Sequence, residues 1–541
     1  MENEIRNMGE TKIEKAKIFL KKISFNDGTQ IELKENSIIV FTGANNSGKT
    51  QVLKDIEHYL DCSNQLDGVV IKDVECEYYG DIMESSFFNE HFFVNESGNY
   101  QMKEQPNSYA KSILTQWWND RVLDGGLYLL FVKRLDTGSR LSLSNPLIRN
   151  SQCDGKPIYK LFNKGSLEQK ISDYFREAFG VDLVVNRNEV QTISLHIGKS
   201  PDKKAFTIDE EDKYYEQVNA LPKLHDQGDG MRSFASILLD TFTSDYSITL
   251  IDEPEAFLHP PQARILGKIL VKNNSDNRQL LISTHSEDFL QGLLDANEDN
   301  VIIIRINREE NINRMSILQN EEIKKLWGNP LLRYSNILSG LFHEKVVVCE
   351  SDYDCLFYQA VINAIYETRG EFASDILFTH CGGKTRIKDI VNALKAVDVT
   401  VLAICDFDLL NSSQNFKLIA AAFGLDWQRD LQADMKIIYD YMNKKSSKGV
   451  DAWKEIKKIG KTGFNDDAYS AYKNVEKICK AVGLFIVPVG EMECFDKNVN
   501  KEKKDWVYHI LENFDLATET DLKEAREFVQ EVVDFKKVIK E

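Results

Sequence analysis

At 541 residues the chain is long enough for two or three domains, each with its own core. With 42% hydrophobic and 28% charged residues it is not a wholly disordered polymer, and no apolar run approaches the ~18–20 residues of a bilayer span. A net charge of −18 requires any polyanionic partner to be met by local basic runs, for which Lys203 with Lys204, Lys444–Lys461 and Lys501–Lys504 are the candidates.

The segment Met1–Lys17 is charged and lacks the apolar core of a secretion signal. The nine cysteines are scattered without a Cys-x-x-Cys pair, which points away from a zinc site or a disulfide framework and towards a reducing cytoplasm. Strands are predicted at Ile18–Leu20 and Ile31–Leu33, then at Ser37–Phe41, which runs straight into Gly43-Ala44-Asn45-Asn46-Ser47-Gly48-Lys49-Thr50. Helical spacing follows through Val52, Leu53, Ile56 and Leu60. Strand, glycine-rich loop and helix together form the context a phosphate-binding loop needs. In it, backbone N–H groups receive phosphate oxygens, Lys49 neutralises the β/γ-phosphates and Thr50 ligates Mg²⁺.

Residues 81–217 read as the remainder of this core interrupted by a helical insertion, with a strand-like Leu127–Val132 and a helix-like Ser166–Phe179. Apolar runs of strand length return at Ile248–Glu253 and Gln279–His285, each ending in polar residues as buried parallel strands do, and again at Val301–Ile304. Asp252 is placed to hold the Mg²⁺ shell, Glu253 to polarise the attacking water and His285 to sense a γ-phosphate. Glycines in Gln227–Ser233 precede a helical Phe234–Phe242, so Gly228, Gly230 and Ser233 form a second anion-seeking helix start. This part resembles the ATP-binding-cassette ATPases, whose signature segment caps ATP held by another subunit. Leu258-His259-Pro260-Pro261 resembles the loop after their Asp-Glu pair, whereas no convincing glutamine loop is found.

A polar helical stretch around Asn320–Leu326 leads to a second α/β unit with alternating segments at Lys345–Cys349, Cys355–Tyr366, Ile387–Ala396, Val399–Cys405 and Leu484–Val489. Its apolar strands end in acids: Glu350 with Asp354 four residues on, Asp406 with Asp408, and Glu491 with Glu493. Each cluster alone reads as a helix cap or solvated turn. Three at strand ends of one α/β unit point instead to a crevice of hard oxygen ligands suited to Mg²⁺ or Mn²⁺.

From about residue 17 to 515, the chain resembles the OLD (overcoming lysogenization defect) family of ATP-dependent nucleases, which join an ABC-type ATPase to a C-terminal TOPRIM domain. The resemblance implies an ATPase over residues 1–330 and a TOPRIM nuclease over 331–541. It places metal-site roles on Glu350, Asp354, Asp406, Asp408 and Glu493, and the catalytic lysine on Lys504 in preference to Lys503. Gly382-Gly383-Lys384 also resembles a family feature, while Ser351 stands where the family often has glycine. Further implications are dimerisation through part of residues 81–217 and a role in bacterial defence against phage. Gabija nucleases and retron-associated effectors set the precedent, with a helicase, or a reverse transcriptase and noncoding RNA, as the accessory partner. The resulting expectation is an ATP-gated, metal-dependent DNA endonuclease or nickase. A non-cutting DNA-binding ATPase is the alternative. A topoisomerase or primase ranks last, since neither a strand-passage tyrosine module nor a primase zinc motif is legible.

Overall fold

The computed structural model of the protein describes residues 15–61, 67–103, 107–149, 155–201, 208–309, 312–318, 338–370, 375–446 and 451–536. The chain divides into two compact units within the span 319–337. Asn320–Leu326, Lys203 and Lys204, together with residues 447–450 of the Lys444–Lys461 run, lie outside the described residues.

The first unit is built on a six-stranded sheet in the order Ile312–Leu318, Val301–Glu309, Ile38–Thr42, Gln279–Ser283, Ile248–Asp252, Val132–Leu135. Neighbours pair in parallel except at the Ile312–Leu318 edge, which is antiparallel. Every residue of Ile38–Thr42 and Gln279–Ser283 is buried, which is why both read as unbroken apolar runs and not as alternating ones. The register pairs Asp252 with Ser283 and Ser283 with Phe41, so three strands end together where the glycine-rich loop begins.

The following helix, Lys49–Leu60, packs on this core through Val52, Leu53, Ile56 and Leu60. At roughly 1.5–3 kcal/mol for each fully buried aliphatic side chain, that face fixes the helix on the sheet. Asp55 Oδ2 adds a tether by accepting the backbone N–H of Val70 at 2.6 Å and of Ile71 at 3.0 Å. These residues lead into the strand Ile71–Tyr79, which with Lys17–Phe25 and Gln30–Glu32 makes a three-stranded antiparallel sheet.

Residues 81–217 are mixed in structure. They include the helices Ser85–His91, Lys111–Asn119 and Gly165–Phe179 and a small sheet of Phe92–Val94, Tyr100–Met102 and Ser108–Tyr109. They also supply Val132–Leu135, a strand of the main sheet. The strand expected over Leu127–Val132 is therefore displaced: Asp124–Leu130 is a 3₁₀ segment and the strand begins at Val132. Gly125 and Gly126, at φ 59° and 83°, turn the chain there and bring Leu127 into the core. A short apolar run satisfies either structure by pattern alone.

The second unit has a four-stranded, all-parallel sheet in the order Ile376–His380, Lys345–Cys349, Thr400–Cys405, Leu484–Ile486. Helices Asp352–Arg369, Lys503–Asn513 and Lys523–Val533 share a core around the fully buried Trp506, Phe357 and Val529. The expected strand Leu484–Val489 stops at Ile486, and Met492–Phe495 is a 3₁₀ turn. Pro488 supplies no ladder donor, and Gly490 at φ 122° packs so closely that a Cβ would lie 2.2 Å from the Lys457 carbonyl oxygen. Among the described residues no helix is long and apolar enough to cross a membrane.

Candidate functional site

In the first unit the loop ends at Gly48, whose φ of 102° opens the Lys49–Leu60 helix without a side-chain cap. Gly48 is required there twice over, because a Cβ would also meet Asn313 Nδ2 at 3.0 Å. Asn313 Nδ2 donates to the Ser47 carbonyl and anchors the loop. Gly43 and Asn46 also have positive φ, 144° and 62°, and Lys49 is buried. Ser47 Oγ is buried without a hydrogen-bond partner in the protein, a donor that a phosphate oxygen would satisfy. The loop therefore fits a nucleotide phosphate on its own geometry.

Thr50 Oγ1 donates to Asp252 Oδ1 at 2.9 Å, and Ser283 Oγ donates to the same oxygen. The two proposed Mg²⁺-shell residues are thus in direct contact, across the parallel strands. Glu253, next in the chain, has φ 49°, a conformation that costs a non-glycine residue about 1–3 kcal/mol. Arg140 holds it: this fully buried guanidinium donates to the carbonyls of Leu135 (3.1 Å), Asp252 and Glu253 (3.1 Å), and to Ser233 Oγ (3.0 Å). His285 Nδ1 lies 3.2 Å from Glu253 Oε1. Buried Glu255 accepts the His285 backbone N–H at 3.0 Å and Thr284 Oγ1 at 2.8 Å through one oxygen, and so positions the histidine.

Of the glycine-rich signature, Gly228 caps the helix Asp229–Thr243. Gly230 packs against the Phe257 carbonyl, where a Cβ would come within 2.5 Å, and Ser233 is turned inward onto Arg140. In this chain those residues join the helix to the Asp252–Glu253 turn. Arg140 carries no signal in the sequence, and Glu255 is visible only as the first residue of the Glu255–Gln262 loop; each acts on residues about 30 to 110 positions away. Arg140→Ala is expected to destabilise the protein by about 3 kcal/mol or more, because two hydroxyls and three carbonyls lose their donor. Denaturant unfolding checks this, and a change under ~1 kcal/mol would show the latch to be dispensable.

In the second unit Lys345–Cys349 and Thr400–Cys405 are adjacent parallel strands, so Glu350 and Asp406 emerge side by side at their C-terminal ends. Glu350 Oε1 accepts the Asp406 backbone N–H at 3.2 Å. Burial, followed by repulsion from Asp408 and Asp354, pushes Glu350 up to about 7, against the opposing Asp406 N–H and Lys384. Burial and then the charges of Glu350, Asp354, Glu491 and Asp408 drive Asp406 well above the usual carboxylate range. Asp354 is likewise raised, by burial first, although it forms a capping box with Ser351 at the start of the helix Asp352–Arg369. Glu493 Oε1 accepts the Lys503 N–H at 2.6 Å.

Lys503 thus lies at this edge through its backbone, and the side-chain ammonium groups paired with its carboxylates come from Lys384 and Lys457. Lys504 Nζ lies over the Tyr508 ring, 5.6 Å from its centroid. Lys384 Nζ instead contacts Asp408 Oδ1 at 2.9 Å, while Lys457 Nζ lies 2.7 Å from Glu491 Oε1 and 3.5 Å from Asp408 Oδ2. In the sequence Lys457 is visible only as part of a basic run. Its position depends on the close packing of Gly490 on its carbonyl, which no local pattern signals.

As a donor set, these oxygens suit a hard dication, which would relieve the repulsion of Asp408 and Asp354 on Glu350 and of Glu350 and its neighbours on Asp406. Among the described residues, however, no three His, Cys, Asp or Glu side chains already converge in a geometry that could hold one. The carboxylates line one edge of the sheet without meeting at a single point.

Residues 118–290 match the AAA-domain family described for AbiEii-type toxins of type IV TA systems, and residues 341–408 match the overcoming lysogenization defect protein-like TOPRIM domain. The second match spans Glu350, Asp354, Asp406 and Asp408 and sits on the strand edge just described. Two curated relatives are the Old nuclease of Escherichia phage P2, 28% identical over 171 residues, and the OLD nuclease of Thermus scotoductus, 27% identical over 168. The chain thus joins a segment similar to an AAA-type ATPase domain to one similar to an OLD-like TOPRIM domain. Each alignment takes in 30% of this chain, and it spans only 28% of the phage relative and 30% of the Thermus one. Among solved structures, the Smc head bound to the C-winged helix domain of ScpA matches at a TM-score of 0.35 and 13% identity, over 57% of this chain and 99% of that one. Nothing about the site rests on that likeness.

Proposed function

We propose that the protein is an ATP-regulated, divalent-metal-dependent DNA endonuclease or nickase. The observation that carries this reading is the side-by-side emergence of half-buried Glu350 and Asp406 from adjacent parallel strands, in a chain that also pairs a phosphate loop with Thr50–Asp252. Residues 1–330 are assigned to the ATPase and 331–541 to the nuclease.

In the ATPase, Gly43, Asn45, Asn46, Ser47 and Gly48 receive the nucleotide phosphates, and Lys49 neutralises them. Thr50 and Asp252 hold the nucleotide's Mg²⁺. Glu253 orients and deprotonates water, with His285 bridging it to the phosphate. Gly228 and Gly230 open the helix proposed to meet a second copy's nucleotide, with Ser233 supporting it from inside through Arg140, and the active form would be a homodimer or higher homo-oligomer. Glu253→Gln is expected to slow ATP hydrolysis by about 10²–10³-fold while leaving ATP binding within a few-fold, the signature of a lost general base. Equal losses in turnover and binding would assign Glu253 to nucleotide binding instead.

In the nuclease, Glu350, Asp354, Asp406, Asp408 and Glu493 are the residues that would hold Mg²⁺ or Mn²⁺. When bound, a divalent ion supplies an activated water and neutralises charge on the scissile phosphate. Glu350 and Asp406 orient that site through their shared N–H contact, and a lysine at the edge, Lys504 or one of the two nearer amines, faces the leaving oxygen. The biological setting that accords with these assignments is cytoplasmic defence against phage, alongside a helicase or a reverse transcriptase with its noncoding RNA. Incubating supercoiled plasmid with the purified protein and either ion tests the activity. An intact plasmid under every nucleotide condition would remove the proposal.

A further inference from the structure

Among the described residues Asp408 is the one proposed metal ligand with a lysine ammonium at each carboxylate oxygen. Lys384 Nζ is 2.9 Å from Oδ1 and Lys457 Nζ 3.5 Å from Oδ2. The two lysines arrive from different elements. Lys384 follows the strand Ile376–His380 through Gly382 and Gly383, whose φ values of 68° and 125° turn the chain back. There the Gly383 N–H donates to the Glu350 carbonyl at 3.0 Å. Lys457 comes from the helix Ala452–Ile459 and is shared with Glu491 at 2.7 Å. Both ammonium groups are in reach of water, with side chains 28% and 37% exposed, whereas that of Asp408 is 19% exposed.

Both carboxylate oxygens of Asp408 are thereby engaged by ammonium groups. We propose, building on the nuclease reading, that Lys384 and Lys457 hold Asp408 away from the metal position until a DNA phosphodiester draws them off. The lysines then neutralise the substrate backbone, and the released Asp408 turns to the ion. Metal and DNA thereby bind cooperatively, each raising the affinity for the other by the same factor. Partly exposed ion pairs are weak enough to exchange one anion for another, and a backbone phosphate offers the lysines an equivalent charge-assisted partner.

The test is Mn²⁺ binding, followed by electron paramagnetic resonance with the full chain, with and without a short phosphorothioate duplex that resists cleavage. Mn²⁺ taken up by the duplex alone is subtracted. In the native protein the duplex is expected to tighten Mn²⁺ binding by about tenfold or more, the scale of one charge-assisted hydrogen bond. The double variant Lys384→Gln, Lys457→Gln is expected to bind Mn²⁺ tightly without DNA and to gain less than about twofold from it. Asp408→Asn, which keeps both lysines, serves if that variant does not fold, and it is expected to lose the tightening by DNA. Equal Mn²⁺ affinity in native and lysine-substituted protein without DNA, or undiminished tightening in Asp408→Asn, overturns the clamp and leaves the nuclease reading standing. No Mn²⁺ binding by any form, even with DNA, would overturn both.

Discussion

Glu350→Ala combined with Asp406→Ala is expected to abolish plasmid cleavage, lowering the rate by at least about 10³-fold, since the site would lose two central oxygen ligands and the several kcal/mol of charge stabilisation an ion provides. The same pair has a second expected effect of opposite sign. In chelator-treated protein the half-buried Asp406 carboxylate is repelled by Glu350, Asp354, Glu491 and Asp408, with desolvation as the larger penalty. Replacing Asp406 with the near-isosteric Asn removes that repulsion and keeps the volume, so the metal-free Asp406→Asn protein should be more stable than the native chain, by about 1–3 kcal/mol. Activity falls while stability rises, as at sites held against their own preference for the sake of a ligand. Thermal melting in chelator, with and without added Mn²⁺, checks this: native protein should gain far more from the ion than Asp406→Asn. A variant that melts lower than native without metal would assign Asp406 to structural support.

Lys49→Ala is expected to weaken ATP binding by about 10–100-fold, the value of one charge-assisted hydrogen bond to phosphate. Lys49 is buried at the first turn of its helix, and the neighbouring Ser47 hydroxyl has no protein partner, so the loop is organised to receive an anion. If nucleotide governs the nuclease, cleavage in Lys49→Ala should no longer respond to ATP. It should settle at the rate of the nucleotide-free native enzyme, whichever direction the control runs. Equilibrium binding of a fluorescent ATP analogue, with cleavage measured in parallel, separates the two effects. Binding within about threefold of native would show that the loop does not carry the nucleotide.

The parallel strands were legible because burial on both faces imposes continuous apolar runs, and the acids at their ends mark where each strand meets solvent. Ile248–Asp252, Gln279–Ser283, Lys345–Cys349 and Thr400–Cys405 are seen on that basis. Segments governed by glycine and proline geometry were not. Leu127–Leu130 follows two positive-φ glycines into a 3₁₀ segment, and the strand before Glu491 stops short at Ile486. Contacts between distant residues were the least visible. Nothing near Arg140 in sequence announces that its guanidinium will clamp the carbonyl of Glu253, and nothing near Lys457 announces Asp408. The inward turn of Ser233 has the same origin, because its partner lies 93 residues away.

The functional reading turns on nucleotide at Gly43–Thr50 controlling metal-dependent cutting at Glu350 and Asp406. The most direct measurement is the initial rate of supercoiled-plasmid cleavage by the native protein in Mg²⁺ and in Mn²⁺, without nucleotide and with ATP, ADP or a non-hydrolysable ATP analogue. Nicked or linear product is expected in at least one state, with a rate that differs by about tenfold or more between nucleotide-free and ATP-bound protein, equivalent to a coupling of ~1.4 kcal/mol. Equal cleavage rates in all four nucleotide states, or no product with either ion, would contradict it.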